Sequence, residues 1–294
     1  MRLVCKIILI LGLFLSGCSK DKDDTPLNIF SIQFRLEDED GNDIFRQEIQ
    51  NIDIIFFDGE GRYLSQKSLS KTDLDKYQGL IFNSRDRDLH LIFWANRLDN
   101  TIIGASGDNP VIDDYRIYNK ENNITKNGDP LYYASLKTSD LRKSAFEVSG
   151  INFTQAHKVV SIYVKGFSDE VNGNNLLPQI ELTRLPVGYD FYMSPLSDLI
   201  NYKQASSNIL TPEGYMAGVN FRTPHFPEDY TSEIRIIKSS TGEPAYIVDL
   251  EELFSNQGED IHKDNVVSIF IEFKAGEVIV TLPKWSGIGI EPEI

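Results

Sequence analysis

Short runs rich in β-branched and aromatic residues recur along this chain, and they restrict its fold more than any other feature does. Each run has the length of one strand. The sequence lacks long stretches with the 3.6-residue spacing of a helix. The pattern predicts an all-β protein of antiparallel sheets packed as sandwiches. The runs are Ile29–Leu36, Ile52–Phe57, Leu89–Trp94, Val159–Val164, Ile234–Ile237, Val266–Phe273 and Val278–Leu282.

Turn residues separate these runs and predict hairpins. Glycine stands beside acidic or amide residues at 39–42, 58–61 and 274–277. Glycine supplies the positive φ angle that tight turns need. The clearest predicted hairpin joins the last two runs. Helical spacing is limited to Ser70–Tyr77 and Asp249–Phe254.

The length of the chain favours two domains. One hydrophobic core usually stops growing at about 250–300 residues, and the mature chain has about 270. We place the boundary near Gly150, which gives one sandwich over residues 28–150 and a second over residues 151–294. The polar stretch Asn96–Asp129 is expected to form an extended loop, either functional or disordered.

The N-terminus, residues 1–17, has the order of an export signal. A basic start is followed by the apolar run Ile7–Leu15, and residues 15–18 read Leu-Ser-Gly-Cys. The run is shorter than the roughly 20 residues that a transmembrane helix needs. We therefore predict removal of the segment by cleavage between Gly17 and Cys18.

The Leu-Ser-Gly-Cys sequence looks like a lipobox, in which the Cys18 thiol is acylated. Several acyl chains make a lasting membrane anchor, because each buried methylene contributes about 0.8 kcal/mol. Residues 18–27 are charged and polar and are predicted to form a solvated tether. An ordinary secretory signal with an incidental cysteine is the alternative reading.

Charge and cysteine content limit the partners and the sources of stability. Removing residues 1–17 takes away Arg2 and Lys6, so the formal net charge moves from −15 to −17. Nucleic acid is not expected as a partner, because it requires clustered basic residues. The two cysteines are Cys5, which leaves with the signal, and Cys18, which carries lipid. No intramolecular disulfide is therefore expected.

The residues do not predict a metal site or a catalytic site. The four histidines lack zinc spacing, and His90 is expected to be an ordinary sheet residue. Residues 38–43 are rich in Asp, but an EF-hand register would put Leu36 at the first ligand position, so a turn is favoured. Nucleophile elbows, zinc-protease pairs, phosphate-binding loops and dinucleotide fingerprints do not occur. We expect no catalysis and no cofactor.

Four tyrosines are candidates for stacking on a sugar or a partner. Packing in the core or at its rim is the favoured interpretation, because aromatic side chains supply much of the buried area of a sandwich. These residues are Tyr115, Tyr118, Tyr132 and Tyr133.

Several segments together resemble the fimbrium anchoring subunits of Bacteroidetes, which are lipoproteins at the base of fimbriae. The tether is also similar to the acidic export signal that follows the lipidated cysteine of Bacteroidetes surface lipoproteins. The matching segments are the lipobox with its tether, residues 52–63, 91–96, 129–133 and 157–164, and the closing strand that runs into Trp285.

This resemblance implies a fold and a role. The fold would be two tandem transthyretin-like antiparallel β-sandwich domains without enzyme activity. The chain would hold the proximal end of a fimbria to the outer membrane through the lipid on Cys18, facing the cell surface, and would limit fimbrial length. Its partner would be a fimbrial stalk subunit, joined by β-strand addition.

We hypothesise that residues 279–294 make the contact with that partner. The segment holds an apolar strand followed by a tryptophan and a Gly-Ile-Gly-Ile tail. The alternative is that it only completes the second sandwich. The proposed contact residues are Ile279, Val280, Leu282, Trp285, Ile288 and Ile290.

Three other functions compete with the anchor. A fimbrial tip or accessory subunit would share the fold and the lipid. A surface glycan-binding lipoprotein would need paired tryptophans on one loop face, whereas Trp94 and Trp285 lie in or beside strand runs. A secreted hydrolase lacks a recognisable nucleophile and base.

Overall fold

The structure is a computed structural model that describes residues 28–84, 88–121, 124–141, 148–211 and 214–283. Within these ranges the chain consists mostly of strands, which confirms the predicted all-β fold. The strands up to residue 155 are β1 (Asn28–Arg35), β2 (Asn51–Asp58), β3 (Tyr63–Ser70), β4 (Gly79–Ser84), β5 (Leu89–Ala95), β6 (Thr101–Ala105), β7 (Tyr115–Asn119), β8 (Ile124–Thr125), β9 (Tyr132–Lys137), β10 (Val148–Asn152) and β11 (Thr154–Gln155).

The later part of the chain is equally rich in strands. Each of the seven predicted runs falls on a strand, and the predicted final hairpin is confirmed. The later strands are β12 (Lys158–Lys165), β13 (Glu170–Val171), β14 (Asn174–Asn175), β15 (Gln179–Pro186), β16 (Gly188–Asp190), β17 (Leu199–Ala205), β18 (Ser207–Thr211), β19 (Gly214–Thr223), β20 (Glu233–Ile237), β21 (Pro244–Asp249), β22 (Val266–Lys274) and β23 (Glu277–Thr281).

Three short α-helices connect strands in the described residues: α1 (Phe45–Glu48), α2 (Lys71–Lys76) and α3 (Leu250–Gln257). Both predicted helical segments are confirmed as α2 and α3. Ser70 and Asp73 form a capping box at the start of α2, which satisfies amide groups that a helix leaves free.

The first core lies between the sheet β10-β1-β4 and the sheet β11-β9-β5-β2-β3. Phe34 of β1 is fully buried there. Its ring centroid lies 5.7 Å from that of Phe93 on the facing sheet and 5.7 Å from that of Phe153. Aromatic contacts of this kind supply much of the buried apolar area that stabilises a sandwich.

The middle core covers the other face of the same five-stranded sheet. The small sheet β16-β7-β6 packs there, so this part of the molecule has three layers of strands. Trp94 of β5 is fully buried, and its ring lies 6.0 Å from that of Tyr189 and 6.4 Å from that of Phe191. The middle core therefore joins side chains from both halves of the chain.

The C-terminal core lies between the sheet β18-β19-β12-β22-β23 and the sheet β21-β20-β15-β17-β8. Helix α3 closes one side of it with Leu250, Leu253 and Phe254. The centre of the first sheet is β12, which is antiparallel to β19 and parallel to β22.

The expectation of an extended loop over Asn96–Asp129 is wrong. This stretch contains β6, β7 and β8, and β6 pairs with β7 in a hairpin. Tyr115 and Ile117 alternate with polar residues along β7 and are buried in the middle core. Polar turn residues between the two strands dominate the local composition, so tertiary packing rather than local sequence determines the strands.

The division into two domains at residue 150 stays a prediction. Strand β10 spans this position and pairs in parallel with β1. Two sheets also take strands from both sides of it, because β16 pairs with β7 and β8 pairs with β17.

Candidate functional site

The final hairpin forms one edge of the C-terminal sheet. Lys274 pairs with Glu277 across a two-residue turn, and Gly276 in that turn has a φ of +91°. Strand β22 lies between β12 and β23. One side of β23 is therefore hydrogen-bonded to β22, while no strand among the described residues pairs with its other side.

The side chains of this edge strand are apolar over three consecutive positions. Val278 and Val280 point inward and are half-buried against the C-terminal core, and Leu282 continues this alternation after the strand. Ile279 lies on the opposite face, since successive side chains of a strand alternate. The predicted contact residues Ile279, Val280 and Leu282 are thus brought together at one edge.

Helix α3 places a side chain directly on this edge. Asp249 caps the helix start by accepting a hydrogen bond from the Glu252 amide at 3.0 Å. The helix ends at Gln257, followed by Gly258 in the left-handed conformation at φ +67°, a common helix terminator. Capping at both ends therefore fixes where Gln257 lies.

The Gln257 carboxamide makes two hydrogen bonds to the backbone of the hairpin's outer edge. Its Nε2 donates to the Val280 carbonyl at 3.2 Å, and its Oε1 accepts from the Leu282 amide at 3.1 Å. Both backbone groups point away from β22. A side chain thus satisfies the polar groups that an added strand would otherwise use.

The opposite edge of the same sheet has a different character. There β18 pairs with β19, and the facing residues Leu210 and Tyr215 are 63% and 75% exposed. Leu210 and Tyr215 form a pair near the tip of their hairpin. The next pair, Ile209 and Met216, is mostly covered, so the exposed apolar surface does not continue along the strand.

The remaining predicted site residues lie outside the described residues. They are Gly17 and Cys18 of the lipobox and Trp285, Ile288 and Ile290 of the tail. Their proposed roles stay predictions.

The tyrosines considered for ligand stacking pack in the protein instead. Tyr115 and Tyr132 are buried, and Tyr118 and Tyr133 are half-buried. The Tyr133 hydroxyl donates to the Phe191 carbonyl at 3.0 Å. The favoured interpretation, packing in the core or at its rim, is confirmed.

Buried titratable groups bond to backbone carbonyls. Burial lowers the pKa of His157 to about 4, and its Nδ1–H donates to the Leu131 carbonyl at 3.0 Å. Burial also lowers the pKa of Lys158 to about 8, and its ammonium donates to the carbonyls of Ile261 and Asp264. These bonds hold loops in place, which is a structural role that the sequence alone did not indicate.

The described ranges contain neither a cluster of metal-ligating side chains nor a membrane-spanning helix. No group of three or more His, Cys, Asp and Glu side chains in them is placed to hold a metal ion. No helix in the same ranges is long and apolar enough to cross a membrane. The Asp-rich residues 38–43 form the predicted turn, in which Asp38 accepts from the Asn42 amide at 2.8 Å.

The stacked sheets place this chain in an all-β class. Its fold is shared with proteins described as bacterial adhesins and fimbrial proteins. The structure is similar to that of a Bacteroides thetaiotaomicron protein described as an adhesin. The TM-score is 0.69 and the sequence identity is 14%, over 90% of this chain and 98% of that one. A second protein of that species, described as polysaccharide-binding, matches with a TM-score of 0.64 and 16% identity, over 86% and 95% of the two chains.

The fimbrial anchor protein Mfa2 of Porphyromonas gingivalis matches with a TM-score of 0.64 and 15% identity, over 86% of this chain and 95% of that one. At such identities these likenesses show the fold. The family model of the fimbrillin-A associated anchor proteins Mfa1 and Mfa2 matches residues 22–289, and the chain belongs to this family. It is a family of structural fimbrial proteins rather than of enzymes. Among curated proteins, the sequence comparison finds no match.

Proposed function

We propose that this protein is a non-enzymatic fimbrial anchor, a lipoprotein that attaches the base of a fimbria to the outer membrane and limits its length. Family membership over residues 22–289 carries the proposal. The lipobox supports it, because acyl chains on Cys18 give a lasting attachment to the membrane. The partner is a fimbrial stalk subunit.

The position of the first strand suits a chain that is held by its N-terminus. Ten residues, 18–27, separate the lipid from β1 and span at most about 35 Å. Strand β1 is the central strand of its sheet, paired with β10 on one side and β4 on the other. Its Ile32 and Phe34 are fully buried. A pull on the lipid therefore acts on a strand that two ladders and the first core retain.

The position of the predicted lipid, at the N-terminal end of the fold, favours an anchor over a stalk subunit. Stalk precursors of the resembled kind lose an N-terminal strand to a protease. Cleavage after Cys18 in this chain would separate the fold from its own lipid. An anchor must keep this connection intact.

The glycan-binding alternative requires exposed tryptophans, and Trp94 does not meet this requirement. Trp94 is fully buried in the middle core, so it cannot form a platform for a sugar. A tip or accessory subunit would share the fold and the lipid. It would differ from an anchor because it would not attach the base of the fimbria to the membrane.

The C-terminal segment is the proposed contact with the stalk. Deleting Trp285–Ile294 removes the tail beyond β23 and leaves the lipobox and described strands in place. We expect cells carrying this deletion to release fimbriae into the medium while the truncated lipoprotein stays at the cell surface. Electron microscopy of cells and medium, with antibody labelling of intact cells, measures both. Fimbriae that remain attached would argue against a contact through the tail.

A further inference from the structure

The sheet β18-β19-β12-β22-β23 has two deeply buried side chains on the face that points away from the C-terminal core. Ile162 and Val164 of β12 belong to that core, so Tyr163 between them points to the outer face. Met216 of β19 precedes the core residue Ala217 and points outward for the same reason. Tyr163 and Met216 are each only 2% exposed.

The neighbours of Tyr163 within the sheet surround it without capping it. Its partner in β19 is Gly218, and the Ile209 side chain fills the space over that glycine. A side chain on a strand stands roughly perpendicular to the sheet, so the far end of Tyr163 would contact solvent on an open face. The described elements that pack on this sheet, the sheet β21-β20-β15-β17-β8 and helix α3, lie on its core side.

The surface around Tyr163 is apolar and half-buried. Phe270 of β22 pairs with Tyr163 and shares its face, and Val159 lies on the same face of β12. Ile209 and Ile279 add apolar side chains from the two outermost strands. All four are only partly covered. A segment laid across this face would bury apolar surface from every strand of the sheet, which is favourable.

The C-terminal segment, residues 284–294, begins beside this face. It follows β23, whose last residue Thr281 pairs with Phe270. Its 11 residues span at most about 38 Å, whereas five strands spaced about 4.8 Å apart extend over about 19 Å. The segment can therefore reach every strand of the sheet. Its large apolar residues are Trp285, Ile288, Ile290 and Ile294.

The other segments outside the described ranges are less suited to this face. Residues 85–87 and 142–147 connect strands of the first core, and residues 1–27 precede β1 of that core. Residues 122–123 and 212–213 are too short to cross a sheet. The C-terminal segment combines the length, the starting point and the apolar side chains that the covered face requires.

The geometry points to the outer face of the C-terminal sheet as the docking site of the chain's own C-terminal segment, residues 284–294, with the Trp285 side chain over Tyr163 and Phe270. The segment adds a third layer to this part of the molecule. The inference goes beyond the proposed function, because it concerns a contact within one subunit. In the proposed anchor, a stalk subunit would meet the segment as part of a folded layer.

Tryptophan fluorescence of the full mature lipoprotein in detergent tests this docking. The chain has two tryptophans, and Trp94 is fully buried, so an accessible tryptophan would be Trp285. We expect acrylamide, a neutral quencher, to reach neither of them. The Trp285→Phe protein contains Trp94 alone and is the reference for a shielded tryptophan. Wild type and this variant should be quenched equally weakly.

A charge on the outer face should release the segment. Met216→Asp places a carboxylate beneath it, which is unfavourable in a buried apolar contact. Trp285 should then become quenchable, while Trp94 stays shielded in the Met216→Asp, Trp285→Phe double variant. Leu210→Asp is the matched control, because Leu210 lies in the same hairpin and is 63% exposed. This control should match the wild type.

A milder variant keeps the test decisive if Met216→Asp lacks a cooperative thermal transition. Ile279→Asp changes a half-buried residue of the edge strand on the same face. It should also make Trp285 quenchable. A Trp285 that remains shielded in the folded Asp variants would be covered by another surface or by detergent, and this result would overturn the inference. A Trp285 that acrylamide reaches in the wild type would overturn it as well.

These measurements use the isolated protein and do not depend on fimbriae. If Trp285 is shielded by the sheet while fimbriae stay attached to cells that lack Cys18, the docking site is correct and the anchor function is wrong. If Trp285 is accessible while those cells shed their fimbriae, the anchor function stands and the segment is not docked on this face.

Discussion

At the scale of single residues, burial determines what His157 does. Its side chain is 6% exposed, and Gln155 Nε2 lies 3.3 Å from its Nε2 while Nδ1–H donates to a carbonyl. Burial lowers the pKa to about 4, because the charged ring would lose its solvation. The ring is therefore neutral near pH 7 and serves to join β11, β12 and the chain before β9.

Replacing His157 with Gln is expected to remove a pH dependence of stability. An unfolded histidine has a pKa near 6.5, above the folded value, so the unfolded state binds more protons between the two. The wild type therefore loses stability as the pH falls from about 6.5 through about 4, by up to about 3 kcal/mol. Between pH 7 and about pH 4.5, its free energy of unfolding should fall by about 2 kcal/mol more than that of the variant.

Chemical denaturation at both pH values measures this difference. The His157→Gln variant serves as the control for the carboxylates, which titrate in both proteins. Equal decreases in the free energy of unfolding would mean that His157 is not held neutral by burial.

Single residues are predictable from sequence where their role is local. Gly41 and Gly61 each have a φ of +80°, as expected for turns recognised by their neighbouring residues. Gln257 has no such signal, because its role depends on Val280 and Leu282, which follow it by more than 20 positions. The interpretation of His90 as a sheet residue rather than a metal ligand agrees with its position in β5.

At the scale of elements, the strands that sequence analysis missed contain residues of low strand propensity. Strand β19 has glycine at both Gly214 and Gly218. A Cβ at Gly218 would lie 2.5 Å from the end of the Ile209 side chain, so glycine leaves room for that side chain between the two strands. Pairing with β12 and β18 on its two sides, rather than the strand propensity of its own residues, therefore accounts for the formation of β19.

Strand β16 is an element on which the connection between the halves depends. A Cβ at Gly188 would lie 2.0 Å from the Ile117 carbonyl oxygen of β7. Gly188→Ala should therefore force β16 away from β7 and lower the free energy of unfolding by about 3 kcal/mol, as overpacking does. Gly59→Ala is the matched control, because its Cβ would meet only an ordinary contact of 3.6 Å with Asp88.

Chemical denaturation of the two glycine variants compares these positions. The control should stay within about 0.5 kcal/mol of the wild type. A Gly188→Ala protein as stable as the control would contradict the close pairing of β16 with β7.

At the scale of the whole molecule, the fold connects its two proposed attachment points. The predicted tether precedes β1 of the first core, and the proposed contact segment, residues 279–294, begins in β23 of the C-terminal core. Between them, β16 pairs with β7 and β8 pairs with β17. In the proposed anchor, a load applied to the fimbria would reach β1 through sheets that both halves share.

Sequence patterns predict the all-β fold and the final hairpin, because strand periodicity and turn residues are local signals, whereas the family was indicated by the resemblance of particular segments. They do not predict the middle core, since Tyr189 and Phe191 reach Trp94 from far along the chain. The apolar pattern of residues 279–294 favours a contact segment there. The contact of Gln257 with Val280 and Leu282 is not predictable in this way, because it depends on how α3 packs beside β23.

The most direct test of the anchor function is electron microscopy of cells and culture medium from a Cys18→Ala strain. Cys5→Ala is the matched control, because the processing signal predicts that Cys5 is removed with residues 1–17. We expect shed or abnormally long fimbriae in the Cys18→Ala strain and normal fimbriae in the control. Fimbriae that stay attached at normal length without Cys18 would contradict the claim that lipid on this chain holds the fimbria.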